Sequence, residues 1–339
     1  MRAYWRPIPM TDPARPPGAL PLAGGPCWFD RVERLSRSEP PALLPADAAP
    51  PEVLERLAAP RASIAGLSFD VPRIMGILNV TPDSFSDGGL FLDPGVAVER
   101  AREVRSLGAD LLDVGGESTR PGAREVPPDE EAARVVPVIR AVAGEVPVSV
   151  DTRKAPVAAA ALAAGARVVN DVSAMTFDPG MAAAAARAEG VCLMHAQGAP
   201  ETMQDAPAYD DVLLDVYDAL EERLLAAENA GIPRARVLLD PGIGFGKTLQ
   251  HNVSLLRRLS LCHALGCALL VGASRKRFIG TLGGARDAGA RMPGSLAVAL
   301  HAVAQGAQVV RVHDVGETVQ ALRLGVALTG RDAHKERTG

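Results

Sequence analysis

Several features are missing from this sequence, and each absence excludes a class of protein. The four cysteines, Cys27, Cys192, Cys262 and Cys267, form no CxxC pair and no Cys/His finger spacing. That argues against a zinc module and against a disulfide scaffold, and it fits a reducing compartment. No stretch of about 18 uncharged apolar residues occurs, so no membrane span is expected. The opening MRAYWRPIPMTDP lacks a long apolar segment, so a secretory leader is not expected and the cytoplasm is the default location. No basic block occurs, and the formal net charge of the 339 residues is -4. Nucleic acid is therefore not an expected partner. Any anionic ligand must be met by local cations rather than by a global field.

Apolar residues make up 47% of the chain and charged residues 22%, enough to bury a sizeable core. Proline is distributed unevenly. Thirteen of the 28 prolines fall within residues 1–60, together with both tryptophans, Trp5 and Trp28. Proline at that density opposes long helices and central strands, whereas disordered segments are poor in aromatics. The stretch GGPCWFDRVERL predicts an extension that packs Trp28 and Phe29 on the main body. The expected organisation is a proline-rich extension over residues 1–70, a catalytic domain over 71–330 and a tail over 331–339.

From Arg73 onward apolar runs alternate with segments of helical period. Strands are predicted at 73–80, 111–116, 146–152, 167–173, 191–196, 236–242, 268–274 and 308–314. Helices are predicted at 95–109, 129–144, 155–166, 179–190, 211–231, 252–266, 293–307 and 316–328. Continuous apolar strands are buried on both faces, and strict alternation argues for a parallel sheet with helical crossovers. Eight units of this length match an α/β fold of the (β/α)8 TIM-barrel type. The strands end in Asn79, Glu117-Ser118-Thr119-Arg120, Asp151, Asn170-Asp171, His195, Asp240, Ser274-Arg275-Lys276 and Arg311-Val312-His313. An open doubly wound sheet would concentrate ligand groups at one switch point. Polar groups at every strand end favour the closed barrel, with the site at its C-terminal mouth.

Three groups of residues carry the predicted chemistry. Two long loops, 79–89 and 115–123, combine carboxylate, amide, hydroxyl, Phe and Arg and suit a lid that excludes water. The cations Lys247, Arg275, Lys276 and Arg311, with His313, predict a cleft for phosphate or diphosphate. Asp151, Asn170 and Asp240 are short hydrogen-bonding groups that suit a flat heterocycle with a guanidine-like edge. Asp151 also reads as a cap for the following helix. Asp240-Pro241-Gly242-Ile243-Gly244-Phe245-Gly246-Lys247 lets backbone approach a ligand closely, yet lacks P-loop spacing. His195 in MHAQG reads either as a pocket group or as a structural histidine.

Taken together, MGILNVTPDSFSDGG (75–89), GGESTRPGA (115–123), SVDTRK (149–154), VNDVSA (169–174), MHAQG (194–198), LDPGIGFGK (239–247), GASRKRFIG (272–280) and RVHDV (311–315) resemble the dihydropteroate synthase family over about residues 70–330. The resemblance implies condensation of (7,8-dihydropterin-6-yl)methyl diphosphate with 4-aminobenzoate in folate synthesis. It implies pterin contacts from Asp151, Asn170, Asp240 and Lys276. It implies diphosphate contacts from Asn79, Arg311, Val312 and His313, with Mg²⁺ at Asn79. A 4-aminobenzoate pocket that sulfonamides also occupy is implied for Phe85, Thr119, Arg120, Pro121, Phe245 and Ser274, and a homodimer is implied as well. Departure of diphosphate leaves a cation delocalised into the pterin. Lys276, Arg311 and His313 then neutralise the leaving group, and Asp87 is a candidate to stabilise the cation. No covalent protein nucleophile is needed. The chain departs from the family pattern at Ala196, where methionine is common, and in its extension. A pterin-binding methyl-transfer barrel would share the pterin-facing Asp and Asn but has little use for ESTRPGA, SRK and the terminal RVH.

Overall fold

A computed structural model describes residues 2–81, 94–118, 125–198, 203 and 206–329. The extension contributes strands β1 (Tyr4–Pro7), β2 (Leu20–Pro21), β3 (Trp28–Phe29), β4 (Arg31–Leu35) and β5 (Ala42–Pro45), then helix α1 (Pro51–Ala58). The repeating part runs β6 (Arg73–Asn79), α2 (Pro94–Ser106), β7 (Leu111–Gly115), α3 (Pro128–Val142), β8 (Val148–Asp151), α4 (Ala155–Ala163), β9 (Val168–Asp171), α5 (Met181–Ala185) and β10 (Gly190–Met194). It continues α6 (Val212–Asn229), β11 (Val237–Asp240), α7 (Leu249–Arg257), β12 (Ala268–Val271), α8 (Arg277–Gly283), α9 (Met292–Ala304), β13 (Val309–Val312) and α10 (Val315–Leu328).

Strands β6 to β13 close into one parallel barrel, β13 pairing with β6 through Val310–Ile74 and Arg311–Met75. This is the (β/α)8 barrel expected from the alternation. Side chains on a strand point alternately to its two faces. One set, including Val114, Val150, Val169, Leu193, Leu239 and Val312, packs outward beneath the helices. The other set points inward and differs at the two barrel ends. At the floor, Met75, Leu111, Val168, Cys192, Leu238, Leu270 and Val309 meet a short plug formed by Ile64, Ala65, Leu67 and Phe69. The plug turns through Ala65 and Gly66, at φ +52 and +78, and Arg73 ties it down by donating to the Ser68 carbonyl at 2.7 Å.

The extension folds against the outside of the barrel. Trp28 and Phe29 are buried, and the Trp28 indole donates to the Asp12 carbonyl at 2.7 Å. Tyr4 packs edge-on against Tyr217 of α6, with ring centroids 5.4 Å apart. Arg37 reaches Asp215 and Asp218 of the same helix, each at 2.7 Å. Among the described residues, no helix is long and apolar enough to cross a membrane.

Three expectations about local structure change. The helix predicted at 252–266 begins earlier, because Thr248 and His251 form a capping box. It gives way at Arg258 to a tighter 3₁₀ turn over Leu259–Leu265. The helix predicted at 179–190 shrinks to α5, Met181–Ala185. An unexpected helix, α8, follows β12 in a segment for which no element is predicted.

Candidate active site

The mouth is organised around Arg311. β13 presents its guanidinium to the barrel axis, where Nε donates to Asp113 at 2.6 Å and Nη2 to Asp151 at 2.7 Å. Asn170 donates from Nδ2 to the same Asp113 oxygen at 3.0 Å. β7 and β8 thus deliver carboxylates to one cation, and β9 adds Asn170 as a second donor to Asp113. Burial pulls the Arg311 guanidinium down, but the carboxylates of Asp113 and Asp151 outweigh it, and its pKa is raised. Burial pushes the Asp151 carboxyl above its usual range against the pull of Arg311, and the neighbouring Asp113 adds to the rise. The second oxygens of Asp113 and Asp151, both Oδ1, are buried without a hydrogen-bond partner among the described residues. Orphaned buried acceptors are costly, so the pair is suited to receive N–H donors.

Asp113 lies inside its strand, so a reading that looks for polar groups at strand ends misses it. The signal was there. A carboxylate in the middle of the apolar run LLDVGG must be paired or functional.

Asp240 and Lys276 form the other side. Asp240 is buried, its Oδ1 accepts from Gly242 N at 2.7 Å, and burial raises its pKa against the pull of Lys276. The Lys276 ammonium donates to the Ile243 carbonyl and lies 4.4 Å above the Phe245 ring. Burial lowers its pKa to about 8. Ser274 is buried and accepts from His313 N at 3.2 Å, and its hydroxyl lies 3.0 Å from His313 Nδ1.

The simple cationic cleft inferred from the sequence needs correction. Arg275 sits at φ +57 and pairs with Asp314, at 3.0 Å through Nε. Lys247 is engaged by His195 and two carbonyls. Arg311 is shared between two carboxylates. The Val312 side chain lies in the outer core beneath the helices, because alternation turns it away from its neighbours. Glu117 also leaves the mouth: Lys154 Nζ donates to it at 2.5 Å and to Glu131 at 2.6 Å, in a buried cluster under α3. Asp171 closes a local turn with the backbone amides of Ser173 and Met175. Asp151 does not cap α4, whose N-cap position is Lys154. Asn79, at the end of β6, remains partly exposed at the mouth. Phe85, Asp87, Thr119, Arg120 and Pro121 lie outside the described residues.

A cavity of about 620 Å³ adjoins this cluster and is lined by Arg153, Phe177, Met194, His195, Arg223 and Phe245, among others. None of the Arg311 group lines it. Its arginines are already paired, Arg153 with Glu117 at 3.0 Å and Arg223 with Glu222. The buried charges are therefore gathered in the polar cluster, with the cavity at its flank.

Residues 75–313 match the family model described as pterin binding enzyme. The dihydropteroate synthase of Escherichia coli (strain K12) is 50% identical over 263 residues, covering 76% of this chain and 93% of that protein. The chain belongs to the dihydropteroate synthase family. These enzymes are transferases of folate synthesis. The synthase of Neisseria meningitidis serogroup C is 49% identical, covering 77% of this chain and 94% of its own length. Among solved structures, the Xanthomonas albilineans dihydropteroate synthase with 4-aminobenzoic acid superposes with a TM-score of 0.75 at 49% identity, covering 80% of this chain and 99% of that one. The same organism's enzyme in complex with 7,8-dihydropteroate gives 0.72 at 46% identity, covering 80% and 100%. The family match begins at residue 75, so the extension lies outside it.

Proposed function

We propose that this synthase joins the methylene carbon of (7,8-dihydropterin-6-yl)methyl diphosphate to the amino nitrogen of 4-aminobenzoate at the Arg311 cluster. The C–O bond to diphosphate breaks first, and its electron pair leaves with the diphosphate. The arylamine nitrogen then attacks the resulting cation, forms the C–N bond and loses a proton. The observation that carries this reading is the pair of orphaned acceptors on Asp113 and Asp151, held 2.6 and 2.7 Å from Arg311 through their other oxygens. A pterin edge carries the N–H donors those oxygens lack.

In this reading Asp151, Asn170, Asp240 and Lys276 hold the pterin. Arg311 has donors left after its two carboxylates, since a guanidinium offers five N–H groups. Those donors, the Val312 backbone and His313 meet the diphosphate. Phe245 and Ser274 wall the 4-aminobenzoate pocket, with Phe85, Thr119, Arg120 and Pro121 as its other proposed members, and Asp87 as the proposed stabiliser of the cation. Shielding of that cation from water is assigned to loops 79–89 and 115–123.

The described residues contain no cluster of three His, Cys, Asp or Glu suited to a metal. Asn79 offers a single amide oxygen. That donor set fits Mg²⁺ only as a partner of the substrate's phosphates and of water, its common habit. When bound there it would supply charge neutralisation of diphosphate.

We further propose a homodimer, supported by exposed Leu300 on α9 and Leu324 and Leu328 on α10. A cytoplasmic location is supported by four buried cysteine thiols. The test is to incubate the enzyme with the dihydropterin diphosphate, 4-aminobenzoate and Mg²⁺, and to measure diphosphate and dihydropteroate. Both products should appear, depend on 4-aminobenzoate and fall with a competing sulfonamide. Tight dihydropterin binding with no product would overturn the reading.

A further inference from the structure

The loop after β11 and the end of β10 are built as one unit. A Cβ on Gly242 would lie 1.8 Å from the His195 carbonyl oxygen, and one on Gly246 would lie 2.3 Å from that of Gln197. Both glycines sit at positive φ, +66 and +61, so side chains are excluded there by space and by backbone conformation. Lys247, which follows Gly246, is only 3% exposed. Its amine reaches His195 Nδ1 at 2.9 Å, the Phe245 carbonyl at 3.0 Å and the His195 carbonyl at 3.3 Å. No carboxylate lies within ion-pair distance of it among the described residues. Burial lowers the Lys247 pKa to about 7 against the pull of Asp240, so below neutral pH it is an ammonium, and three acceptors then match its three donors. The two carbonyls can only accept, so the imidazole completes the set by accepting at Nδ1, which leaves its proton on Nε2.

The same loop is braced from its far side. Asn252 accepts from Gly244 N at 2.6 Å and donates to the Thr248 carbonyl at 2.8 Å. Tyr209 donates to the Gly246 carbonyl at 2.8 Å. Phe245 is thus gripped by its own carbonyl at the centre of the unit, and its ring lies against Lys276.

We propose that Lys247 is a positioning residue for the second substrate: by donating to His195 Nδ1 and to the Phe245 carbonyl, it clamps the glycine loop to β10, locks His195 as its Nε2–H tautomer and holds the Phe245 ring as the wall of the arylamine subsite. The proposal rests on the placement of Phe245 in that subsite made above. Burial, with Lys247 beside it, lowers the His195 pKa to about 3, which agrees with a neutral ring at pH 7.

Nitrogen-15 NMR of histidine-labelled enzyme reads the tautomer directly, with the His195 signal assigned by its loss in His195→Gln. At pH 6, where Lys247 is an ammonium and the imidazole is neutral, the wild-type ring should have Nε2 protonated. An Nδ1–H tautomer or an imidazolium would overturn the proposal without any Lys247 variant being needed. Lys247→Met and His195→Phe should each raise the KM for 4-aminobenzoate on the order of tenfold, the scale of one lost buried hydrogen bond. Both should leave kcat and the KM for the dihydropterin diphosphate within about twofold. If all three parameters move together in the folded variants, Lys247 is merely structural. Phe245→Ala separates the two ideas. If it leaves the 4-aminobenzoate KM unchanged, the subsite placement fails. If it raises that KM while Lys247→Met does not, the placement stands and the clamp fails.

Discussion

The two ends of the same eight strands have opposite chemistry. At the floor the inward positions are Met75, Leu111, Val168, Leu238, Leu270 and Val309, sealed by Phe69 and Ile64, and the space left there is about 10 Å³. At the mouth the inward positions are Asp113, Asp151, Asn170, Asp240 and Arg311, beside a cavity of about 620 Å³. A single residue along the strand separates Leu111 from Asp113, and Val309 from Arg311. The floor removes apolar area from water and supplies stability. The mouth buries charge and leaves acceptors unpaired, which costs stability unless a ligand answers them. Chemistry and stability are thus segregated along the barrel axis, and substitutions at the two ends should be separable.

The floor should show the largest stability effect. Leu238→Ala removes a fully packed side chain and should cost about 2–5 kcal/mol, read by denaturant unfolding. The kcat of the folded fraction should stay unchanged, and a loss of kcat would join the two ends. At the mouth, Asp113→Asn takes one charge from the Arg311 pair. It should cost about 1–3 kcal/mol and weaken dihydropterin binding, measured by calorimetry. Unchanged affinity would remove Asp113 from the site.

Lys276 offers a pH test in which the two properties move in opposite directions. Its folded pKa is lowered from 10.5 to about 8. Between those values the unfolded chain binds the extra proton, so this group's contribution to stability rises with pH. Over the same window the folded enzyme loses the ammonium proposed to meet the substrate, so kcat/KM for the dihydropterin diphosphate should fall as pH rises through about 8. Lys276→Arg, which does not titrate there, should lose that alkaline limb while remaining less active than the wild type. The smallest effect belongs outside the barrel. Arg37 and Asp215 are partly exposed, and such pairs contribute about 0.2–1 kcal/mol. Arg37→Ala should lower the midpoint of unfolding slightly and leave kinetics alone.

Much of this was legible in the sequence because it rests on periodicity. Eight apolar runs, each ending in polar residues, define a closed barrel and its active end without any side-chain geometry. Asp151, Asn170, Asp240 and Arg311 were readable because they terminate those runs. What escaped depends on direction after the strand ends. Arg275 turns away through a left-handed backbone conformation to meet Asp314, and nothing in SRKR announces that. Lys247 and Glu117 find buried partners far away in sequence, 52 and 37 residues off in His195 and Lys154. Asp113 was overlooked because it lies inside its strand rather than at the end. The floor plug is a short apolar turn, IAGLSF (64–69), whose role appears only when the barrel closes over it.

Arg311→Met and Phe69→Ala, measured side by side as turnover per folded molecule, test the separation of the two ends most directly. Arg311→Met should lose on the order of 100-fold or more in kcat/KM, the scale of removing one preorganised charge-stabilising group. Phe69→Ala should keep turnover within about twofold while unfolding far more readily. Near-wild-type turnover in Arg311→Met, or a folded Phe69→Ala enzyme that has lost its turnover, would contradict the account.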